Sequence, residues 1–429
     1  MTAMDRFERI LPAALTELAN PQTPDYLADV LHQTADTRQR HAWASLERWL
    51  PLDIATTRAP ATRLPLRAVG VLALMALLIA AILVAYVGSR PRLPAPFGLA
   101  ANGLLAISRD GDIYTIDPDS GEEGLLVGGP TYDDGPSFSR DGTQILFLRA
   151  SSQSVIEAEG RLAIASLADG TVVELTAEPL TDLSAAEFSP DGTTLAVRSR
   201  IGGRLQISLL STDGTSQRNF GDVRAATTGN IAFLAPDGRE LVFVAPFDLG
   251  ARSLGLAALD LTTGTTRVIV PGSSTRPVWG NMSASPSGTD IAYGVHDLET
   301  GVITTRLVAT DGSNDRVVGH ADGATFEAWP QWSPSGRYLL LERRVSDLTM
   351  VVRPVVIDMQ TRREVLIDTT ISRNGAGKEW APDESLILAQ RTAADGSQLP
   401  QELWDIRTGL VTKASWDTIS GPAWQRTAP

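Results

Sequence analysis

Phe-Ser-Arg-Asp-Gly at 138–142, Phe-Ser-Pro-Asp-Gly at 188–192 and Leu-Ala-Pro-Asp-Gly at 234–238 are variants of one phrase. It returns as Ala-Ser-Pro-Ser-Gly at 284–288, Trp-Ser-Pro-Ser-Gly at 332–336 and Trp-Ala-Pro-Asp-Glu at 380–384. Successive copies end 50, 46, 50, 48 and 48 residues apart. Self-similarity at that period marks a repeat architecture, and period together with strand content points to a β-propeller.

Each copy places an apolar or aromatic residue before a turn and an alternating apolar run after it. The runs cover 144–149, 194–199, 240–244, 290–294, 338–342 and 386–390. They are rich in Ile, Leu, Val and aromatic residues, the composition of a strand. In the turn, Pro presets φ, Asp or Ser bonds its own backbone, and Gly accepts a positive φ. Glu384 replaces that Gly, so the last turn is expected to be altered or strained. Further strand signals follow within the repeats, as at 161–166 and 172–175, or 254–261 and 267–270, giving the four strands of a propeller blade.

The first strand set, 103–107, 112–117 and 123–127, has no turn phrase before it, so its blade lacks an innermost strand. The chain's end, Gly421-Pro422-Ala423-Trp424-Gln425, resembles Gly135-Pro136-Ser137-Phe138 and is expected to supply it. Such closure removes the exposed edge of an open ring. The expected fold is mainly β, a propeller of seven four-stranded blades with six or eight as the alternatives. One transmembrane helix and a short helical N-terminal segment complete it.

The repeat resembles the WD-like propeller repeat of TolB-type periplasmic proteins, in which an aromatic residue precedes Ser-Pro-Asp-Gly and a strand. The resemblance covers roughly residues 101–429. It implies the propeller fold and, for function, a range of docking proteins, sensors and non-catalytic domains of peptidases. TolB itself is usually six-bladed and not membrane-anchored, and this chain departs on both points.

Residues 68–87 carry no charge over 20 positions. A helix of that length spans about 30 Å, the hydrocarbon thickness of a bilayer. Six arginines between positions 38 and 67 precede the run, and only Arg90 and Arg92 follow it closely. The N-terminus is therefore expected in the cytoplasm and the propeller outside the cell membrane. The reading divides the chain into a cytoplasmic helical segment (1–51), a linker (52–67), the span (68–87), a Pro-rich spacer (88–100) and the propeller (101–429).

Residues 1–67 hold eight basic and eight acidic groups, and residues 88–429 hold 29 basic and 42 acidic. The net charge of −13 thus sits on the propeller, which argues against nucleic acid as a partner. It mildly favours cationic or neutral ligands. The chain has no Cys, which excludes disulfides, a thiol nucleophile and a Cys-based zinc site. Its four His, at 32, 41, 296 and 320, do not cluster in sequence.

Thr23-Pro24-Asp25 is a good helix start, with Tyr26, Leu27, Val30 and Leu31 on one face after it. Trp43, Leu46, Trp49 and Leu50 form another amphipathic stretch, suited to the membrane interface or to a cytoplasmic regulator bound by residues 1–50. Short inner helices, one span and an outer domain together resemble the layout of transmembrane anti-sigma regulators, without the His and Cys zinc pattern of many of them.

No Gly-x-Ser-x-Gly elbow, phosphate-binding glycine loop or His-Glu-x-x-His occurs. No catalytic residue, metal or cofactor is expected. Residues 117–123 superficially resemble a calcium loop but lack its ligand spacing and sit where a blade needs a turn. Asp133, Asp134 and Asp182 fall in connections entering innermost strands and are the candidate ligand-binding residues, for a cation or basic peptide. Trp279, Trp329, Trp332, Trp380 and Trp424 read as packing between blades. The longer loops near 150–159, 246–253, 295–302 and 391–400 share one face and are the expected binding platform. The expected function is non-catalytic recognition of an extracytoplasmic protein, peptide or envelope ligand. The alternatives are an anti-sigma-like transducer with the propeller as sensor and, third, a propeller enzyme using acids at the channel mouth.

Overall fold

The computed structural model describes residues 71–81 and 93–428, apart from the short segments 153–158, 177–179, 202–203, 222, 224–228, 248–252, 320–325, 345–350, 372–375, 392, 394–396, 398, 415 and 417–422. Seven four-stranded antiparallel blades make a closed ring. Blade 1 has the strand order Ala423–Thr427, Ala101–Arg109, Asp112–Ile116, Glu123–Val127 from the centre outward. The C-terminal strand is thus the innermost strand of the first blade, as the sequence implies. It pairs Leu105 with Trp424 and Ala106 with Ala423. Blade 2 begins at Tyr132–Phe138, blade 3 at Leu180–Phe188 and blade 4 at Ile231–Phe233. Blades 5, 6 and 7 begin at Val278–Ala284, Glu327–Trp332 and Ala376–Trp380. Blades 2 and 3 are joined by two extra pairs, Glu159 with Thr181 and Gly160 with Leu180.

What holds the ring is visible in how the buried side chains group. Among the described residues they form seven apolar clusters, six spanning two neighbouring blades and one reaching from blade 5 through blade 6 to blade 7. The cluster that closes the circle joins Leu105, Ile107, Ile116 and Trp424 of blade 1 to Ala381, Leu388 and Trp416 of blade 7. Burying one such large side chain contributes roughly 1.5–3 kcal/mol. A single sheet has no partner for either face, so each blade depends on both neighbours.

The turn phrase folds by the chemistry its residues suggest. In blade 2 the buried Ser139 hydroxyl accepts hydrogen bonds from the Thr143 and Gln144 amides at 3.2 and 3.0 Å and donates to Asp141 at 2.6 Å. Asp141 in turn accepts from the Thr143 amide at 3.0 Å. Gly142 closes the turn onto the Ser139 carbonyl with φ of +72°. A Cβ there would lie 2.1 Å from the Arg426 carbonyl, so glycine serves both conformation and close blade contact. Glu384 keeps the same turn, donating from its amide to Ala381, but at φ of +62°. The last turn is strained rather than altered, since a side chain in this region costs about 1–2 kcal/mol. The altered turn is the one at 234–238, where the Gly238 amide reaches back to Leu234.

Residues 71–81 are helical, and the large apolar side chains from Val71 to Ile79 are 53–69% exposed. Eleven residues rise about 16 Å. Among the described residues no helix is long and apolar enough to cross a membrane. The rest of the 68–87 run, the helical segment at 1–51 and the linker at 52–67 lie outside the described residues.

Candidate ligand site at the turn end of the channel

The inner strands surround a central channel, and their two ends differ. At the end where the inner strands begin, the acids that pair with arginine do so within their own blade. Asp133, 1% exposed, receives two hydrogen bonds of 2.8 Å from Arg149, its direct cross-strand partner. Glu327 occupies the corresponding position in blade 6 and pairs with Arg343, which also grips Glu364 at 2.8 and 3.0 Å. In blade 7, Arg391 donates to Glu402 at 2.9 Å. Asp134 accepts from the Ser108 hydroxyl of blade 1. The structure therefore commits Asp133 and Asp134 to protein partners. Asp182 lies in the inner strand of blade 3, and its side chain is outside the described residues.

The opposite end, where the Ser-Pro-Asp-Gly turns lie, holds a cavity of about 900 Å³ lined from all seven blades. Its charged side chains are Arg140, Glu187, Glu342, Lys378, Glu379 and Arg426. Here the pairs cross between blades. Arg140 of blade 2 meets Glu187 of blade 3 at 2.6 Å. Lys378 of blade 7 pairs with Glu342 of blade 6. The Glu379 carboxylate makes no ion pair or hydrogen bond among the described residues, and Arg426 and Arg140 act on it only through space.

Enclosure sets the electrostatics. Loss of solvent pushes the Glu379 carboxyl up to about 7, against the pull of Arg426 and Arg140. Loss of solvent also raises Glu187, with Arg140 opposing. The 24% of the Glu187 side chain that stays accessible belongs to a group on the cavity wall, walled in by protein without being packed. Burial lowers Arg426, and neighbouring Arg140 lowers it further while Glu379 opposes. Desolvation and opposite charge compete at each group, and at Glu379 desolvation wins.

Backbone irregularity aims these residues. The inner strands of blades 2, 5 and 6 each slip register by a bulge, between Asp134 and Ser137, Trp279 and Met282, and Ala328 and Gln331. Bulges re-aim a side chain and admit Pro, as at Pro136 and Pro330. Two bulges carry glycine at positive φ, and the third carries Trp329 at +53°. Trp329 is held there by Trp279 and Phe326, at ring distances of 5.3 and 5.1 Å.

Trp380 and Trp424 are buried in blade-to-blade cores, and Trp279, Trp329 and Trp332 pack partly buried against neighbouring cores. Trp329, Trp332, Trp380 and Trp424 also border the cavity. The indole N–H groups of Trp332, Trp380 and Trp424 have no acceptor among the described residues. Residues 117–123 form a turn in which Asp117 accepts from the Asp119 and Ser120 amides, which lowers its pKa. Among the described residues no three His, Asp or Glu side chains group as metal ligands.

The sequence reading missed Arg140, Glu187, Lys378, Glu379 and Arg426. A signal was present: alternation along the inner strand places the residue before the packed aromatic on the other face, toward the channel. Across the six copies the corresponding position holds Ser137, Glu187, Phe233, Ser283, Gln331 and Glu379.

No family model and no curated protein matches the chain. Solved structures do. An oligogalacturonate lyase from Vibrio parahaemolyticus is similar over 78% of this chain and 89% of its own, at 15% identity and a TM-score of 0.52. A puromycin-hydrolyzing peptidase from Mycobacterium tuberculosis matches 79% of this chain and 56% of its own, at 16% identity and a TM-score of 0.50. A putative TolB from Agrobacterium tumefaciens matches 76% of this chain and 99% of its own, at 17% identity and a TM-score of 0.44. At such identities the likeness is one of fold alone, a β-propeller, and this fold carries enzymes as well as other proteins.

Proposed function

We propose that this chain is a single-pass membrane protein whose extracytoplasmic propeller binds a protein or peptide segment, without catalysis, at the turn end of its channel. The observation that carries this reading is the cavity of about 900 Å³ with charges of both signs, tryptophans along its border and a carboxyl unpaired among the described residues. Ligand pockets of ~300–1,000 Å³ with a few convergent polar groups are the usual form of a binding site. A polypeptide supplies both donors and acceptors for such a lining, and apolar side chains for the tryptophans. Residues 68–87 are assigned to the bilayer by their 20 uncharged positions, with the N-terminus inside by the arginine bias.

A second reading, a signal transducer of anti-sigma-like layout with the propeller as sensor, is favoured by one observation. Residues 96–98, in the segment that follows the proposed span, line the cavity.

In-cell photo-crosslinking tests both. A photoreactive residue at Ser283, on the cavity wall, is expected to capture an extracytoplasmic partner in the full chain and in a version lacking residues 1–50. A cytoplasmic partner pulled down only with the full chain supports transduction. Capture from Leu298, on a loop at the other end, with none from Ser283 would overturn the channel reading.

A further inference from the structure

The end of the Pro-rich spacer is seated at the turn end of the channel. Pro96, Phe97 and Gly98 form part of the cavity wall. Arg426 donates one Nη2 to the carbonyls of Ala95 and Gly98 at 3.0 and 2.8 Å. Arg140 donates to the Pro96 carbonyl at 3.4 Å, and its guanidinium stands 4.5 Å from the centre of the Phe97 ring. The Ala100 amide then bonds to Pro382 in the turn of blade 7 at 3.0 Å. The segment therefore touches blades 1, 2 and 7.

Two features make this an occupant and not merely a connection. The spacer offers carbonyl oxygens and one ring, the groups that any extended polypeptide offers. Its prolines remove backbone donors, and the chain bends at 96–98 so that the carbonyls of Ala95 and Gly98 meet one guanidinium nitrogen. The receiving groups, Arg140 and Arg426, are two of the three cations of the cavity. Both already face carboxylates, and neither is matched by an acid on the spacer. Neutral carbonyls bind arginine more weakly than carboxylates do, so a ligand chain bearing an acid has the advantage.

We propose that residues 94–98 are a strap across the channel mouth, held by Arg140 and Arg426, which a peptide ligand entering from the turn end must displace. The proposal rests on the reading of the channel as a ligand site. Occupancy of the channel then frees the segment leading back to residues 68–87. A cis occupant competes at an effective concentration in the millimolar range. The strap thus sets a threshold that only a ligand with better contacts to the two arginines passes.

The chain has no Cys, so Ala95→Cys gives a single site for a nitroxide label in the full chain, reconstituted in lipid nanodiscs. The label is expected to be immobilised when the strap is native and mobile when Pro96→Gly and Phe97→Ser unseat it, with the melting of the propeller unchanged. Gly98→Ala is a second means of release. Gly98 sits at φ of +94° with nothing within 4 Å of a would-be Cβ, so the substitution strains the strap alone.

A fluorescent peptide of residues 91–100 is then the probe. It should bind the released chain at least tenfold more tightly than the native one, and Arg140→Gln with Arg426→Gln should abolish the gain. A label equally mobile in native and released chains, or equal peptide affinity for both, overturns the strap. Peptide gain without a Ser283 adduct supports the strap and removes the ligand reading, and an adduct without peptide gain does the reverse.

Discussion

The two ends of the channel use the same residue types to different effect. At the loop end, arginine and carboxylate are cross-strand or near neighbours within one blade, as in Arg149 with Asp133 and Arg343 with Glu327. Each pair ties two neighbouring strands of one sheet. At the turn end the pairs bridge blades, Glu379 is unpaired among the described residues, and space remains beside them. Charge count alone therefore says little about function. What matters is whether a charge is satisfied by its own sheet or left to a cavity shared by seven.

The largest test of this contrast is Arg343→Ala. It takes the arginine from Glu327, whose side chain is 4% exposed, and should lower stability by about 3–5 kcal/mol in chemical denaturation. Loss below about 1 kcal/mol would mean that the loop-end pairs are not structural. The turn-end pair of Lys378 and Glu342 sharpens the point, because it too is buried. Lys378→Met alone should cost a similar 3–5 kcal/mol, whereas Lys378→Met with Glu342→Leu should come within about 1 kcal/mol of the native chain.

Glu379 should show the opposite sign. Its carboxyl stands at about 7 in the folded chain against an ordinary 4.5. Below about pH 4.5 both states hold the proton and nothing is lost. Between 4.5 and 7 the unfolded chain ionises first, so stability falls as pH rises, and the full penalty is present above 7. Because the group lines a cavity, the penalty is about 1–3 kcal/mol. Glu379→Gln should remove that slope and stabilise the protein at pH 8. An unchanged slope would show that the carboxyl is solvated as in water.

The smallest expected effect is at the last turn. Glu384→Gly relieves about 1 kcal/mol of backbone strain but removes the charged acceptor of the Ser335 amide, which costs about 1.5–3 kcal/mol. A net loss of about 1 kcal/mol is expected, and a net gain would show that the carboxylate contributes nothing there.

Much of the fold was legible in the sequence because the turn phrase is local chemistry. Ser139 and Asp141 fold their own turn, so the repeat announces itself without tertiary information. The missing first strand and its supply by residues 423–427 followed from counting. The outer strands of blade 7, Glu402–Asp405 and Val411–Lys413, are too short and polar to carry a pattern, and the ring imposes them. The site was less legible. Asp133 and Asp134 drew attention as paired acids near a channel mouth, but their partners, Arg149 and Ser108, come from other strands. Glu187 and Glu379 sat in plain view beside the repeat's aromatic residue. Their meaning depends on a cavity that only ring closure creates.

The most direct test combines capture with stability in the full chain. Glu187→Gln with Glu379→Gln should abolish the Ser283 photo-adduct while the melting temperature holds or rises. Arg343→Ala should lower the melting temperature while the folded fraction still forms the adduct. Retention of the adduct by the Glu187 and Glu379 variant would contradict the assignment of the turn end as the working end of this propeller.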